Sequence, residues 1–225
     1  MKTVKEQRSE LIQMLQSYFG KKSSVEKKYK LTDETTVVHG DITLYRIQAL
    51  RDFGDVKKGD LGGFVESEEN LFHRGDSWVY DNAKVFGNAH VFINAKVYGN
   101  AKVFDNASVL DNAQIYDDAF IHGDALICGN THVNGNTRIF GKFCIDGDAH
   151  ISSDRDYIVF KNWWSSGRYF TWTRSNDMWT CGCFHGTGKE LIEKAYNDSE
   201  VSGREYERIV NYVESIKSEI NKIKQ

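Results

Sequence analysis

A six-residue period runs without interruption from Gly75 to Ser152, and it limits what this chain can fold into more than any other feature. The blocks read GDSWVY, DNAKVF, GNAHVF, INAKVY, GNAKVF, DNASVL, DNAQIY, DDAFIH, GDALIC, GNTHVN, GNTRIF, GKFCID and GDAHIS, thirteen in all over 78 residues. Position one is Gly or Asp except at Ile93, and position two is Asn or Asp except at Lys142. Position three is Ala or Thr in eleven blocks, and position five is Val or Ile in every one. Side chains alternate along a strand, so positions three and five send a small and a branched group to the same side. Gly or Asp followed by Asn or Asp supplies a corner, because these residues tolerate left-handed backbone. Short strands joined by corners at constant spacing make a solenoid. A two-sheet sandwich would need longer strands and irregular loops. The chain has no proline where average usage gives about eleven, so its turns rest on Gly, Asn and Asp.

The pattern resembles the hexapeptide-repeat, left-handed parallel β-helix family. That resemblance implies three blocks per coil of 18 residues and a triangular interior filled by the position-five residues. These are Val79, Val85, Val91, Val97, Val103, Val109, Ile115, Ile121, Ile127, Val133, Ile139, Ile145 and Ile151. About four coils follow, each rising about 4.8 Å by strand spacing. The expected fold is mainly β: a left-handed parallel β-helix solenoid over 75–152, with an N-terminal helix and a small C-terminal α+β domain.

The flanks complete the organisation. Residues 1–30 read as a helix and a basic linker, with Val4, Leu11, Ile12, Leu15, Tyr18 and Phe19 at helical spacing. Residues 31–74 read as a capping, lead-in segment in which Leu71 falls in the small-residue phase of the repeat. In 153–225, RYFTWTR and MWTCGCF predict a hairpin around Ser175-Asn176-Asp177. Thr187 to Glu190 and Ser202 to Glu205 each match a helix-opening capping box. The last helix carries Tyr206, Ile209, Val213, Ile216, Ile220 and Ile223 at alternating spacings of three and four, an apolar seam for packing or oligomerisation. The whole chain resembles a loose group of hexapeptide-repeat proteins of bacteriophages and prophages, carried by LYRIQALRDFGDVKKGDLGGFVESEENL before the repeats and CGCFHGT plus a helix after them.

Composition narrows the function classes. With 29 Lys+Arg against 32 Asp+Glu, a basic duplex-wrapping protein is excluded. No apolar run approaches the length of a membrane span, and the N-terminus does not read as an export signal, so no membrane partner is expected. Four cysteines without such a signal read as reduced thiols in a cytoplasm, the host's if the origin is viral.

Positions four and six point outward, and every third block shares a face. The first face carries Trp78, Lys96, Gln114, His132 and His150 at position four, and the third carries Phe92, Leu110 and Cys128 at position six. Such sticky faces predict a homo-oligomer, with a trimer along the faces first and a dimer through the last helix second. The second face pairs Lys84, Lys102 and Arg138 with Phe86, Phe104, Phe120, His122 and Phe140. Cations beside rings suit an anionic nucleotide or a single strand, charge meeting phosphate and rings stacking bases. The same residues also suit a subunit contact in which Lys stems cover aromatic surface.

Catalytic constellations are sparse. Hexapeptide acyltransferases use a His, and His122 is the best-placed general base, but no orienting carboxylate is evident in the sequence. The γ-class carbonic anhydrases hold zinc on three His; His132 and His150 stack one coil apart, and a third ligand is missing at matching spacing. Cys181-Gly182-Cys183 with His185 lacks zinc-site spacing, and Gly186-Thr187-Gly188-Lys189 lacks the remaining phosphate-loop residues. No metal and no cofactor are therefore expected. The reading is a non-catalytic oligomeric binding protein, phage-encoded, that sequesters an anionic nucleotide signal or occludes a host defence protein. An acyltransferase and a structural phage component are the alternatives.

Overall fold

A computed structural model describes residues 26–222. The helix predicted over 1–19 and Ile223 of the seam lie outside the described residues. The described residues open with an antiparallel hairpin, β1 (Tyr29–Val38) and β2 (Ile42–Ala49), and continue into β3 (Leu61–Val65). Thirteen short strands follow, β4 (Trp78–Val79) to β16 (His150–Ile151), one per hexad. They stack in parallel register into three sheets, in which each inner strand from β7 to β13 pairs with the third one before and after it. All thirteen position-five Val and Ile side chains are fully buried inside. Each such burial stabilises by roughly 1.5–3 kcal/mol.

The solenoid begins earlier than the repeat. β3 pairs in parallel with the strand Lys84–Val85, and Leu71 bridges Val91. The lead-in segment is thus a first coil as well as a cap. Its register is 20 residues instead of 18, since Val65 opposes Val85 and Leu71 opposes Val91. Leu71 therefore sits in the branched, inward phase, not the small-residue phase expected for it. The two extra residues fall between Phe72, whose N–H bonds to Val91, and Trp78, whose N–H bonds to Ala95 in normal register. Close approach explains the Gly62-Gly63 pair: a Cβ on either would stand 2.5 Å from the carbonyl oxygen of Val79 or Ala83. Trp78, expected on the outside, is buried under this cap against Tyr29 and Phe53.

The far end of the solenoid is closed by Phe143, with Tyr157, Val159 and Tyr169 packed on it. These last three belong to a four-stranded antiparallel sheet, β17 (Tyr157–Lys161), β18 (Tyr169–Thr173), β19 (Met178–Cys181) and β20 (Phe184–Gly186). The predicted hairpin is the β18–β19 pair, turning at Asp177 with φ +56°. Helices α1 (Gly188–Asp198) and α2 (Glu200–Lys222) pack on the sheet. Thr187 and Glu190 form the expected capping box. The second box is not formed. Ser202 lies inside α2, and its N–H bonds to Ser199 Oγ, so the helix opens earlier. The seam turns toward its own sheet: Tyr206 and Val213 are buried in this second core, Ile209 and Ile220 pack against it, and Ile216 is half-buried. Among the described residues no helix is long and apolar enough to cross a membrane.

Candidate functional site

The second face carries two separate columns, because positions four and six of a hexad flank the inward residue. The position-six column is a ring ladder. Phe86 stacks on Phe104 at 5.0 Å and 2°, Phe104 on His122 at 4.8 Å and 4°, and His122 on Phe140 at 5.5 Å and 17°. The rings therefore spend their faces on one another, and a base cannot stack between rungs as the sequence suggested. The hairpin covers the upper end: Leu44 and Phe64 bury Phe86, and His39 packs on both Phe86 and Phe104. Exposure grows down the ladder to Phe140, 62% exposed, which ends the ladder.

The position-four column runs Phe64, Lys84, Lys102, Phe120, Arg138, so two neighbouring lysines lie between two rings and the arginine follows. Lys84 Nζ lies 5.5 Å from the Phe64 ring, and Lys102 Nζ lies 4.9 Å from Phe120. The Arg138 guanidinium lies 5.5 Å from Phe120 on the other side. Among the described residues none of the three cations has a carboxylate at ion-pair distance, so the rings provide the compensation. Lys84 is held below the ordinary lysine range, first by burial and then by Lys102 and Arg46. These cations thus serve the face of the solenoid before any ligand.

Below Phe140 the face opens into a cleft of about 610 Å³, lined by Gly123, Asp124, Phe140, Gly141, Lys142, Phe143, Tyr157, Val159 and Tyr169. Its origin is readable in one block. GKFCID departs from the repeat twice, with Lys142 for Asn/Asp and Phe143 for Ala/Thr. Phe143 closes the interior and receives the C-terminal sheet, while Lys142 puts a cation at the cleft wall. The Tyr157 hydroxyl donates to the Arg138 carbonyl and ties the sheet to the ladder's last rung. Lys142, Tyr157 and Tyr169 were not among the sequence candidates, although the broken block marked the place.

His122 has an orienting carboxylate after all: Asp105 Oδ2 lies 3.4 Å from Nδ1 and also accepts the Gly123 N–H. The register explains it, since Asp105 stands one coil above Gly123. On the first face His132 and His150 stack at 4.7 Å and 16°, and His132 is held below the usual histidine range by burial and then by His150. Among the described residues no group of three metal-binding side chains converges. Cys181 is pushed above the usual thiol range by burial, its Sγ 3.1 Å from the Tyr206 hydroxyl, whereas Cys183 is exposed and His185 pairs with Thr180. No protein-family model matches the chain, and no curated protein matches it.

Proposed function

We propose that this chain is a non-catalytic binding protein, assembled as a homo-oligomer with a trimer as first choice, that takes a planar anionic ligand in the cleft at the foot of the second face. The ligand class is a nucleotide, and the setting is bacteriophage–host conflict in the host cytoplasm, where the protein sequesters a nucleotide signal or occludes a defence protein. The phage setting rests on the sequence resemblance. The carrying observation for the ligand is Phe140. It ends a stacked ladder with an exposed ring beside Lys142, so charge and a stacking surface meet at one cleft.

Calorimetry with cyclic and linear nucleotides and a short single strand tests this. One panel member binds, affinity falls with salt, and Phe140→Ala or Lys142→Glu each weakens it about tenfold. Lys84→Glu with Lys102→Glu leaves that affinity intact, since both lysines lie over rings higher on the face. If that pair instead dissociates the oligomer and no nucleotide binds, the second face is a subunit contact and the nucleotide reading fails.

One observation favours a second reading, acyl transfer with His122 as general base, namely the Asp105 carboxylate beside it. Turnover of an acyl thioester with an amine or hydroxyl acceptor, lost in His122→Asn, would establish that reading over the first.

A further inference from the structure

The C-terminal domain holds a second cavity, of about 350 Å³, unrelated to the solenoid faces. Arg168 lines it and is only 8% exposed. Its Nε and Nη2 are shut away from solvent with no hydrogen-bond partner, and among the described residues no carboxylate lies at ion-pair distance from it. Leaving these two groups without an acceptor is costly, because their N–H bonds have left water and gained nothing. Guanidinium N–H groups match oxyanions in a planar fork.

Lys194 stands on one side, and Ser165, Ser166, Ser199 and Ser202 supply hydroxyls. Ser199 closes α1 and immediately precedes α2, while Ser202 lies in the first turn of α2, so the negative end of one helix and the positive end of the next meet at this wall and offset each other. Asp198 is the one opposing charge on the wall. Phe184, Leu191 and Ala195 make the remaining wall apolar.

We infer that this cavity is a binding site for a small organic oxyanion, a carboxylate or phosphate head on a compact apolar body, with Arg168 as its anchor. The Arg168 and Lys194 charges select the anion, and the apolar wall selects the body. The site is independent of the Phe140 cleft, so either can fail alone.

Calorimetry on the full chain tests it with benzoate and phenyl phosphate, and with benzyl alcohol as the neutral counterpart. At least one anion binds at millimolar concentration or below, about tenfold tighter than the alcohol. The tighter of the two identifies the head group. Arg168→Gln abolishes binding. Because that variant can also fail to fold, two exposed positions carry the test as well: Lys194→Glu weakens binding and Asp198→Asn strengthens it, while Phe140→Ala changes nothing. Absence of binding by both anions, or binding indifferent to Lys194→Glu and Asp198→Asn, overturns the inference.

Discussion

Position one of each hexad carries the backbone demand of the fold. Asp81, Asp105, Asp111 and Asp117 adopt φ between +51° and +59°. Each Asp repays the strain locally, its Oδ2 accepting the N–H of Gly99, Gly123, Gly129 or Gly135 one coil on, at 3.0–3.2 Å. Ile93, also left-handed at φ +63°, has no such acceptor and instead packs with the Phe92, Leu110 and Phe72 cluster. This corner chemistry was legible from the Gly/Asp and Asn/Asp pattern. The Asp105–His122 pairing was legible only in principle, since it needs the 18-residue register applied to a neighbour of the stacked residue. Lys28 was not legible at all. It is buried at the capped end, its Nζ donating to Ser77 O at 2.6 Å and Ser77 Oγ at 3.0 Å, beside Phe53, Asp76 and Arg51. Burial, only partly countered by Asp76, pushes it down to about 7 from an ordinary 10.5. Above pH 7 the folded chain has released a proton that the unfolded chain still holds, so stability rises with pH, by roughly 1 kcal/mol per unit. Near pH 10 the trend reverses, because buried Tyr29 keeps its proton when the unfolded tyrosine loses it. Urea midpoints at about pH 7.5 and pH 9.5 should show the rise, and Lys28→Met should flatten it. An unchanged slope in Lys28→Met would remove Lys28 as its source.

At the scale of elements, the coil was readable because its period is exceptionless at position five. The first coil was not, because its two extra residues shift Leu71 out of the count and only pairing with Val91 reveals its phase. Likewise Ser202 resembled a helix start, but the backbone of α2 was already closed by Ser199. The strands are two or three residues long from β4 to β16, so none is stable alone and each depends on the rungs above and below. Val103 sits mid-stack, fully buried between Val85 and Ile121. Val103→Asp places an unpaired carboxylate there, costing on the order of 3–5 kcal/mol. That approaches the whole stability of an ordinary domain. The variant should therefore lose its cooperative melt in circular dichroism or fail to accumulate in soluble form. A soluble Val103→Asp protein with the parent's melting temperature would refute the assigned phase.

On the scale of the whole molecule, two cores meet at one joint. The solenoid core runs from Tyr29 under the cap to Phe143, and the C-terminal core gathers Phe170, Trp172 and Trp179 under Leu191, Tyr206, Val210 and Val213. The Arg168 cavity lies in the second core and had no sequence signature, because its walls come from a loop, a strand end and two helices with no shared spacing. The seam of Tyr206, Ile209, Val213 and Ile220 belongs to the C-terminal core alone. Its buried members already cover the sheet within one chain, which leaves exposed Val201 and Tyr212 as the large apolar groups α2 offers a partner. Truncation after Gly203 strips that cover from Trp172 and Trp179. The solenoid keeps its own core, so its strand signal in circular dichroism should persist. The uncovered sheet should lower the melting temperature and either change the number of chains per particle seen by light scattering or drive aggregation. A truncated protein with the parent's number of chains per particle and melting temperature would show that α2 holds neither the domain nor an oligomer together.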